Sequence, residues 1–257
     1  MSRHHLAFHC SGLNLAGTLD NAPGTSGLLI VTGGQEPRAG AFGWQSRLAA
    51  SVAKAGFPVF RFDRRGIGDS DGEDRGYLKS RKDIAAALQS FRALAPQMTR
   101  VVGFGNCDAA TALAIAEGAG CDRLVLSNPW TLAGHDDALP PPSAVRSRYL
   151  GKLVDPSEIW RLLTGGVDFR KLKTGLKQAS SVGTSTSPLT EEMKAGLGAF
   201  NGPIRFLLAE HDRTAQIFAE HWGPDDRIHL CAGSGHAYAE PHARDWLLAR
   251  LLEALRR

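Results

Sequence analysis

The chain has 257 residues, of which 43% are hydrophobic and 22% are charged, and its formal net charge at pH 7 is +4. This length and composition allow one large hydrophobic core, which favours a single domain with an insertion over two domains. The modest positive charge comes with no nucleic-acid motif, no secretory signal pattern and no apolar run long enough to cross a bilayer, so we expect neither a nucleic-acid partner nor membrane insertion.

Short strands and helices alternate along the first half of the chain. Two alternating polar and apolar segments, 4–9 and 13–19, predict an antiparallel hairpin at the start. Buried strands are then predicted at 27–32, 58–62, 100–104 and 123–126, and helices at 42–55, 79–94 and 108–117. This alternation is typical of a mostly parallel sheet with helices on both faces.

The strand pattern stops after Trp130 and resumes after Gly202. Between them, helical patterns at 144–153, 157–163 and 169–179 and a Ser/Thr/Gly-rich segment at 180–188 predict a helical lid. We therefore assign 1–129 and 203–257 to the core and 130–202 to a helical lid insertion. Strands at 204–209 and 227–231 and helices at 215–222 and 241–255 complete the core.

The predicted lid is rich in basic side chains. They are Arg146, Arg148, Lys152, Arg161, Arg170, Lys171, Lys173 and Lys177. Such a set is common on a solvated helical surface. It is also the charge that would dock an acidic acyl carrier protein or a coenzyme A thioester.

The sequence G-N-C-D-A at 105–109 stands between a predicted strand and an Ala-rich helix. In α/β-hydrolases the nucleophile lies on a sharp strand-to-helix turn of the form G-x-S-x-G. Here Cys107 replaces the serine and Ala109 replaces the second glycine. The turn predicts an α/β-hydrolase fold and a cysteine nucleophile for acyl transfer.

A thiol nucleophile needs a base to take its proton and a carboxylate to orient that base. In this fold class the order along the chain is nucleophile, acid, histidine, each on a loop after a strand. Asp212 and His236 occupy the loops after the last two predicted strands, so Cys107, Asp212 and His236 form the predicted triad. Glu210 is the alternative acid, because only loop geometry can separate it from Asp212.

The remaining predicted site residues lie beside this triad. An oxyanion hole needs two backbone N–H groups, which we expect from Asp108 and Gln35, because Pro37 has no N–H. Gly34, Glu36 and Trp130 are the expected substrate-binding residues.

Other residues are expected to be structural. Cys10, Cys121 and Cys231 show no C-x-x-C spacing, which argues against a zinc site or a disulfide framework and predicts buried small apolar residues in a reducing, cytoplasmic setting. No metal and no cofactor is expected. Arg64 and Arg65 are expected to be solvated, and the alternative is that one of them lines a substrate cleft.

Five segments of the chain resemble the exosortase A system-associated hydrolase 1 family. They are LLIVTGG (28–34), PVFRFDRRGIGDSDG (58–72), VVGFGNCDAA (101–110), LVLSNPW (124–130) and DFRKL (168–172). That family is assigned to the α/β-hydrolases and occurs in bacteria beside genes for exopolysaccharide synthesis and protein sorting. The resemblance implies a cytoplasmic bacterial enzyme with an acyl-type substrate, and it supports the three triad positions.

A looser similarity links the chain to dienelactone hydrolases, which also have a cysteine turn and a Gln-Glu pair, here Gln35-Glu36. It implies a contact between Glu36 and the resting thiol. Pro37 stands where those enzymes take an oxyanion amide, and the long insertion also departs from them.

These observations predict an esterase or thioesterase that works through a covalent acyl-enzyme. The first alternative is an acyltransferase that moves an acyl group from a carrier thioester to an alcohol or sugar. The second alternative is a catalytically idle hydrolase fold that binds a partner.

Overall fold

The structure is a computed structural model of the 257-residue chain, and it describes residues 2–132 and 187–257. The helices predicted at 144–153, 157–163 and 169–179, the eight basic side chains and the DFRKL segment lie outside the described residues.

Eight strands form one sheet in the order β1-β2-β4-β3-β5-β6-β7-β8. They are β1 (Ser2–Cys10), β2 (Leu13–Asn21), β3 (Ser26–Val31), β4 (Val59–Phe62), β5 (Arg100–Asn106), β6 (Arg123–Ser127), β7 (Ile204–Ala209) and β8 (Ile228–Cys231). The β1–β2 and β2–β4 pairs are antiparallel and all other pairs are parallel. The predicted hairpin and the mostly parallel sheet are confirmed.

Helices cover both faces of this sheet. The α-helices are α1 (Trp44–Lys54), α2 (Arg81–Leu94), α3 (Asp108–Ile115), α4 (Pro188–Ala199), α5 (Arg213–Trp222) and α6 (Pro241–Arg256). Short 3-10 helices lie at Ala41–Gly43, Tyr77–Lys79 and Glu117–Gly120. Within the described ranges, no helix has the length and hydropathy needed to cross a bilayer.

The sheet separates two hydrophobic cores because successive side chains of a strand point to opposite faces. Leu28 and Ile30 of β3 pack with α1 and α6 on one face, whereas Leu29 and Val31 pack with α2 to α5 on the other. Alternate residues of β3 are therefore buried under helices on opposite faces of the sheet.

Helix α4 was not predicted from the sequence, although it lies within the expected insertion 130–202. Its Met193 and Leu197 are buried in the core shared with α2 and α3. A Cβ atom on Gly196 would lie 2.3 Å from the carbonyl oxygen of Ala114, so this glycine lets α4 approach α3 closely. Two glycines within one short helix lower its intrinsic helix propensity, so the sequence pattern did not predict this helix.

The parallel strands bring several loops to one edge of the sheet. The carboxyl ends of β3 and β5 to β8 all lie at this edge, since parallel strands run in the same direction. We call it the carboxyl edge. Cys107, Asp212 and His236 lie on the segments that follow β5, β7 and β8 there.

Candidate active site

Cys107 lies on a strained turn between β5 and α3. Its backbone angles are φ 62° and ψ −130°, a left-handed region that residues other than glycine seldom occupy. The N–H of Cys107 donates to the carbonyl of Ser127 at 3.0 Å, and its own carbonyl accepts from the N–H of Ala110 at 3.1 Å. Hydrogen bonds on both sides therefore hold the residue in this conformation, as is common where a strained residue serves a function.

The turn depends on close contact between β5 and α3. A Cβ atom on Gly105 would lie 2.6 Å from the carbonyl carbon of Ala109, so only glycine fits at this position. Ala109 is fully buried at the start of α3, where its methyl group is accommodated in place of the second glycine of the usual turn.

Exposure separates Cys107 from the other cysteines. Cys107 is half-buried, whereas Cys10, Cys121 and Cys231 are buried. Burial raises the pKa of the Cys121 thiol to about 12 and also raises the pKa of Cys10. A buried thiol with a raised pKa is a poor nucleophile, which leaves these two in a structural role.

His236 and Asp212 form a direct hydrogen bond. Nδ1 of His236 lies 2.9 Å from Oδ2 of Asp212. The Asp212 side chain is itself fixed, because it caps α5 and accepts from the N–H groups of Thr214 at 3.3 Å and Ala215 at 3.2 Å. With Nδ1 on the carboxylate, Nε2 is the nitrogen left for proton transfer. Nε2 lies 3.4 Å from Nδ2 of Asn106, the residue before Cys107.

The surroundings of His236 favour its protonated form. The hydrogen bond with Asp212, and next in size the interaction with the Cys107 side chain, raise the pKa of His236 to about 10 against the opposing effect of burial. The raised pKa favours an imidazolium beside the Cys107 side chain. This is the counter-ion that a reactive thiolate requires.

The structure separates the two candidate acids. Asp212 is 6% exposed and contacts His236, whereas the Glu210 side chain is 46% exposed and its Oε2 accepts from the N–H of Gly233 at 2.7 Å. Glu210 therefore stabilises the loop that carries His236, and Asp212 is the carboxylate that is hydrogen-bonded to the imidazole ring.

The loop after β3 is tied to the nucleophile turn through Asp108. Oδ1 of Asp108 accepts from the N–H of Gly34 at 2.8 Å, and burial raises the pKa of the Asp108 carboxyl. The N–H of Glu36 donates to the carbonyl of Gly33 at 3.2 Å, which closes a turn with Gln35 exposed at its tip. The two expected oxyanion donors, the amides of Gln35 and Asp108, thus lie on two segments joined by a direct hydrogen bond.

The expectation that Arg64 and Arg65 are solvated was wrong. Arg64 is 3% exposed, and its guanidinium donates to the carbonyl of Gly34. Arg65 forms an ion pair with the buried Asp83. The Gly34 carbonyl of the loop after β3 accepts from Arg64, and the Asp83 carboxylate of α2 accepts from Arg65. Nε and Nη1 of Arg64 are buried without a hydrogen-bond partner among the described residues.

Glu36 and Trp130 are held by contacts of different kinds. Oε2 of Glu36 accepts from the N–H of Ala41 at 3.1 Å, which links the loop to the 3-10 helix that precedes α1. Trp130 is half-buried, and its backbone N–H donates to the carbonyl of Cys107 at 3.3 Å. Trp130 therefore adjoins the nucleophile turn, whereas the contact between Glu36 and the thiol stays a prediction.

Sequence reasoning missed two asparagines that support the histidine loop. Nδ2 of Asn106 and Nδ2 of Asn128 donate to the carbonyl of His236 at 3.3 and 3.2 Å, and Nδ2 of Asn128 also donates to Oδ1 of Asn106 at 3.0 Å. A polar amide at the end of each of two apolar strands was the available signal, because a buried amide must find hydrogen-bond partners.

The arrangement of the sheet, the turn and the paired His and Asp can be compared with known proteins. Residues 28–250 match the profile of the Alpha/beta hydrolase family. The chain belongs to this family. No curated protein sequence matches the chain significantly.

Several solved structures share the fold at low sequence identity. The α/β-hydrolase GrgF from Penicillium sp. sh18 is 15% identical, with a TM-score of 0.67 over 100% of this chain and 99% of its own. The Pyrococcus furiosus esterase Pf2001 is 15% identical, with a TM-score of 0.62 over 100% of this chain and 90% of its own. Est1E from Butyrivibrio proteoclasticus, solved with ferulic acid, is 14% identical, with a TM-score of 0.60 over 98% of this chain and 100% of its own. The predicted α/β-hydrolase fold is confirmed.

Proposed function

We propose that this α/β-hydrolase is a cysteine-dependent esterase or thioesterase with Cys107 as nucleophile, His236 as acid and base, and Asp212 as the residue that orients His236. One observation carries the proposal. The strained turn presents a half-buried thiol next to an imidazole whose Nδ1 is hydrogen-bonded to a buried carboxylate.

The reaction follows from these positions. Sγ of Cys107 attacks the acyl carbon of the substrate, and the carbonyl oxygen takes the negative charge and faces the amides of Asp108 and Gln35. The C–O or C–S bond then breaks, and Nε2 of His236 gives its proton to the leaving alcohol or thiol. Water then attacks the resulting thioester while His236 takes a proton from it, and the C–S bond of the thioester breaks, which releases the acid and restores the Cys107 thiolate beside the protonated His236.

Two similarities support a small ester as substrate. Pf2001 is described as an esterase, and Est1E binds ferulic acid. Membership of the exosortase-associated subfamily, with its bacterial cytoplasmic setting and acyl-type substrate, belongs to the same proposal. The proposed substrate-binding residues are Gly34 and Glu36, in the loop after β3, and Trp130, beside the nucleophile turn.

Replacing the nucleophile tests the proposal. With a panel of aryl esters and acyl thioesters, Cys107→Ala should lower kcat/KM by at least about 10⁴-fold, because no covalent intermediate forms. Cys231→Ala, which removes a buried thiol at the same edge of the sheet, should keep activity near that of the wild type. A Cys107→Ala protein with wild-type rates on every substrate would contradict the proposal, and so would a wild-type protein inert towards the whole panel.

A further inference from the structure

An apolar groove lies between α1 and α6, outside the proposed triad. Its volume is about 620 Å³, which falls within the range of roughly 300–1,000 Å³ typical of small-molecule sites. Its walls include Trp44, Leu48, Leu247 and Leu248. No step of the proposed reaction uses these side chains.

The groove begins at the carboxyl edge of the sheet. Helix α1 follows the loop after β3 and α6 follows the loop after β8, so both helices start at the edge that carries Cys107 and His236. The lining includes Ala41, whose N–H is bonded to Glu36, and Ala237, which directly follows His236. Some lining residues of the groove therefore lie in, or directly beside, two loops of the candidate site.

Charge is distributed unevenly over the groove. Arg47 and Arg244 lie one turn into α1 and α6, and Asp245 is the single carboxylate among the described lining residues. One guanidinium N–H of Arg47 donates to the carbonyl of Phe42 at 2.7 Å, and the side chains of both arginines are exposed. Two cations face one anion, so the surplus charge favours a ligand with a single negative group.

Phe42 is a lining residue of the groove. The residue is 97% exposed, and its backbone has φ 51°, a left-handed value that is a clear outlier for a bulky residue. An aromatic ring held in water on a strained backbone indicates a binding contact, because neither the exposure nor the strain stabilises the free protein.

We propose that this groove binds an amphipathic monoanion, with its apolar chain against the aromatic and leucine side chains and its anionic group at Arg47 and Arg244. The groove follows α1 from Trp44 to Ser51, about 10 Å at 1.5 Å per residue, which suits an extended chain of about eight to ten carbons. The proposal concerns binding alone, so it does not depend on Cys107 acting as a nucleophile.

Calorimetric titration of decanoate into the full-length Cys107→Ala protein tests the site without turnover. Decanoate should bind, and decyltrimethylammonium, which has the same chain and the opposite charge, should bind more weakly. Ser51→Trp should remove measurable binding because the indole fills the groove. Arg244→Glu should weaken binding by about fivefold, the upper end of what one exposed ion pair contributes, because it replaces an attractive charge with a repulsive one.

Matched controls on the opposite face of the sheet locate the effect. Gln89→Trp and Lys82→Glu place the same kinds of change on exposed positions of α2 and should leave decanoate binding unchanged. The proposal is overturned if decanoate does not bind, if Ser51→Trp and Arg244→Glu bind it as well as the parent does, or if the cationic ligand binds equally tightly. Each of these results leaves the assignment of Cys107 untouched, and an inert wild-type enzyme leaves the groove untouched.

Discussion

The two halves of the candidate site are built in different ways. His236 and Asp212 are held by side-chain hydrogen bonds, from the 2.9 Å contact between them to the amides that cap α5 and the asparagines on the histidine carbonyl. The position of Cys107 is set by the backbone, which adopts a strained φ at this residue and packs closely against α3 at Gly105. Side-chain changes should therefore disable the first half without unfolding the protein, whereas the second half is part of the fold itself.

The largest effect on the side-chain half is expected from Asp212→Asn. The amide no longer fixes the proton on Nδ1 of His236, and it favours the wrong tautomer, so kcat should fall by about 10³- to 10⁴-fold. Steady-state kinetics on a substrate that the wild type hydrolyses measures this loss, and circular dichroism should show an intact fold.

Glu210→Gln is the matched control for Asp212→Asn. It removes a carboxylate from the same loop, but one that contacts Gly233 and not the imidazole. It should therefore leave kcat within a few-fold of the wild type. Equal losses for the two variants would contradict the assignment of Asp212 as the orienting acid.

A smaller effect on kcat is expected from a change at Asp108, the residue that directly follows Cys107. Asp108→Asn replaces the charge-assisted hydrogen bond to the N–H of Gly34 with a neutral one, which loosens the loop that carries Gln35. We expect kcat to fall by about tenfold with little change in KM, because the oxyanion forms only during the reaction.

Asp74→Asn serves as the control for Asp108→Asn. Asp74 is exposed, and Oδ1 accepts from the N–H of Gly76, so the change removes a neighbouring charge without touching the loop after β3. If Asp108→Asn raises KM and leaves kcat unchanged, Asp108 acts on substrate binding and not on the loop geometry proposed here.

The strand-to-helix turn at Cys107 was predicted from the sequence, whereas the hydrogen bonds around His236 and Asp212 were predicted less completely. The turn at Cys107 has a local signature, because small residues and a strand-to-helix change are both visible in the sequence. The choice between Asp212 and Glu210 depends on which loop residue caps α5, and the roles of Asn106 and Asn128 depend on strands that meet only in the folded sheet. Such long-range pairings leave no periodic pattern in the chain.

The fold shows the same limit. Strands and amphipathic helices were predicted from their periodicity, whereas α4 was missed because Gly196 serves its packing against α3 and weakens its local helical signal. The burial of Arg64 was missed for a related reason, since its partner is a backbone carbonyl 30 positions earlier in the chain.

The smallest effect concerns pH. The pKa of His236 is raised to about 10 in the folded protein, above its usual value near 6.5 in the unfolded chain. The stability that this provides is fully present below about pH 6.5 and is lost as the pH rises through about 10. The stability advantage of the wild type over His236→Gln should therefore shrink towards alkaline pH, modestly, because 42% of the side chain is exposed.

Denaturant unfolding at several pH values measures this advantage. When both proteins also carry Asp212→Asn, most of the pH-dependent difference should disappear, because the carboxylate is its main cause. An advantage that grows towards alkaline pH would show that His236 is neutral in the folded protein.

The most direct test of the proposed chemistry is to locate the acyl group during turnover. Wild-type protein mixed with an excess of an aryl ester that it hydrolyses, quenched rapidly in acid and digested, should carry the acyl mass on the peptide that contains Cys107. Continued hydrolysis with that peptide unmodified and the acyl mass on another residue, or on none, would contradict the account.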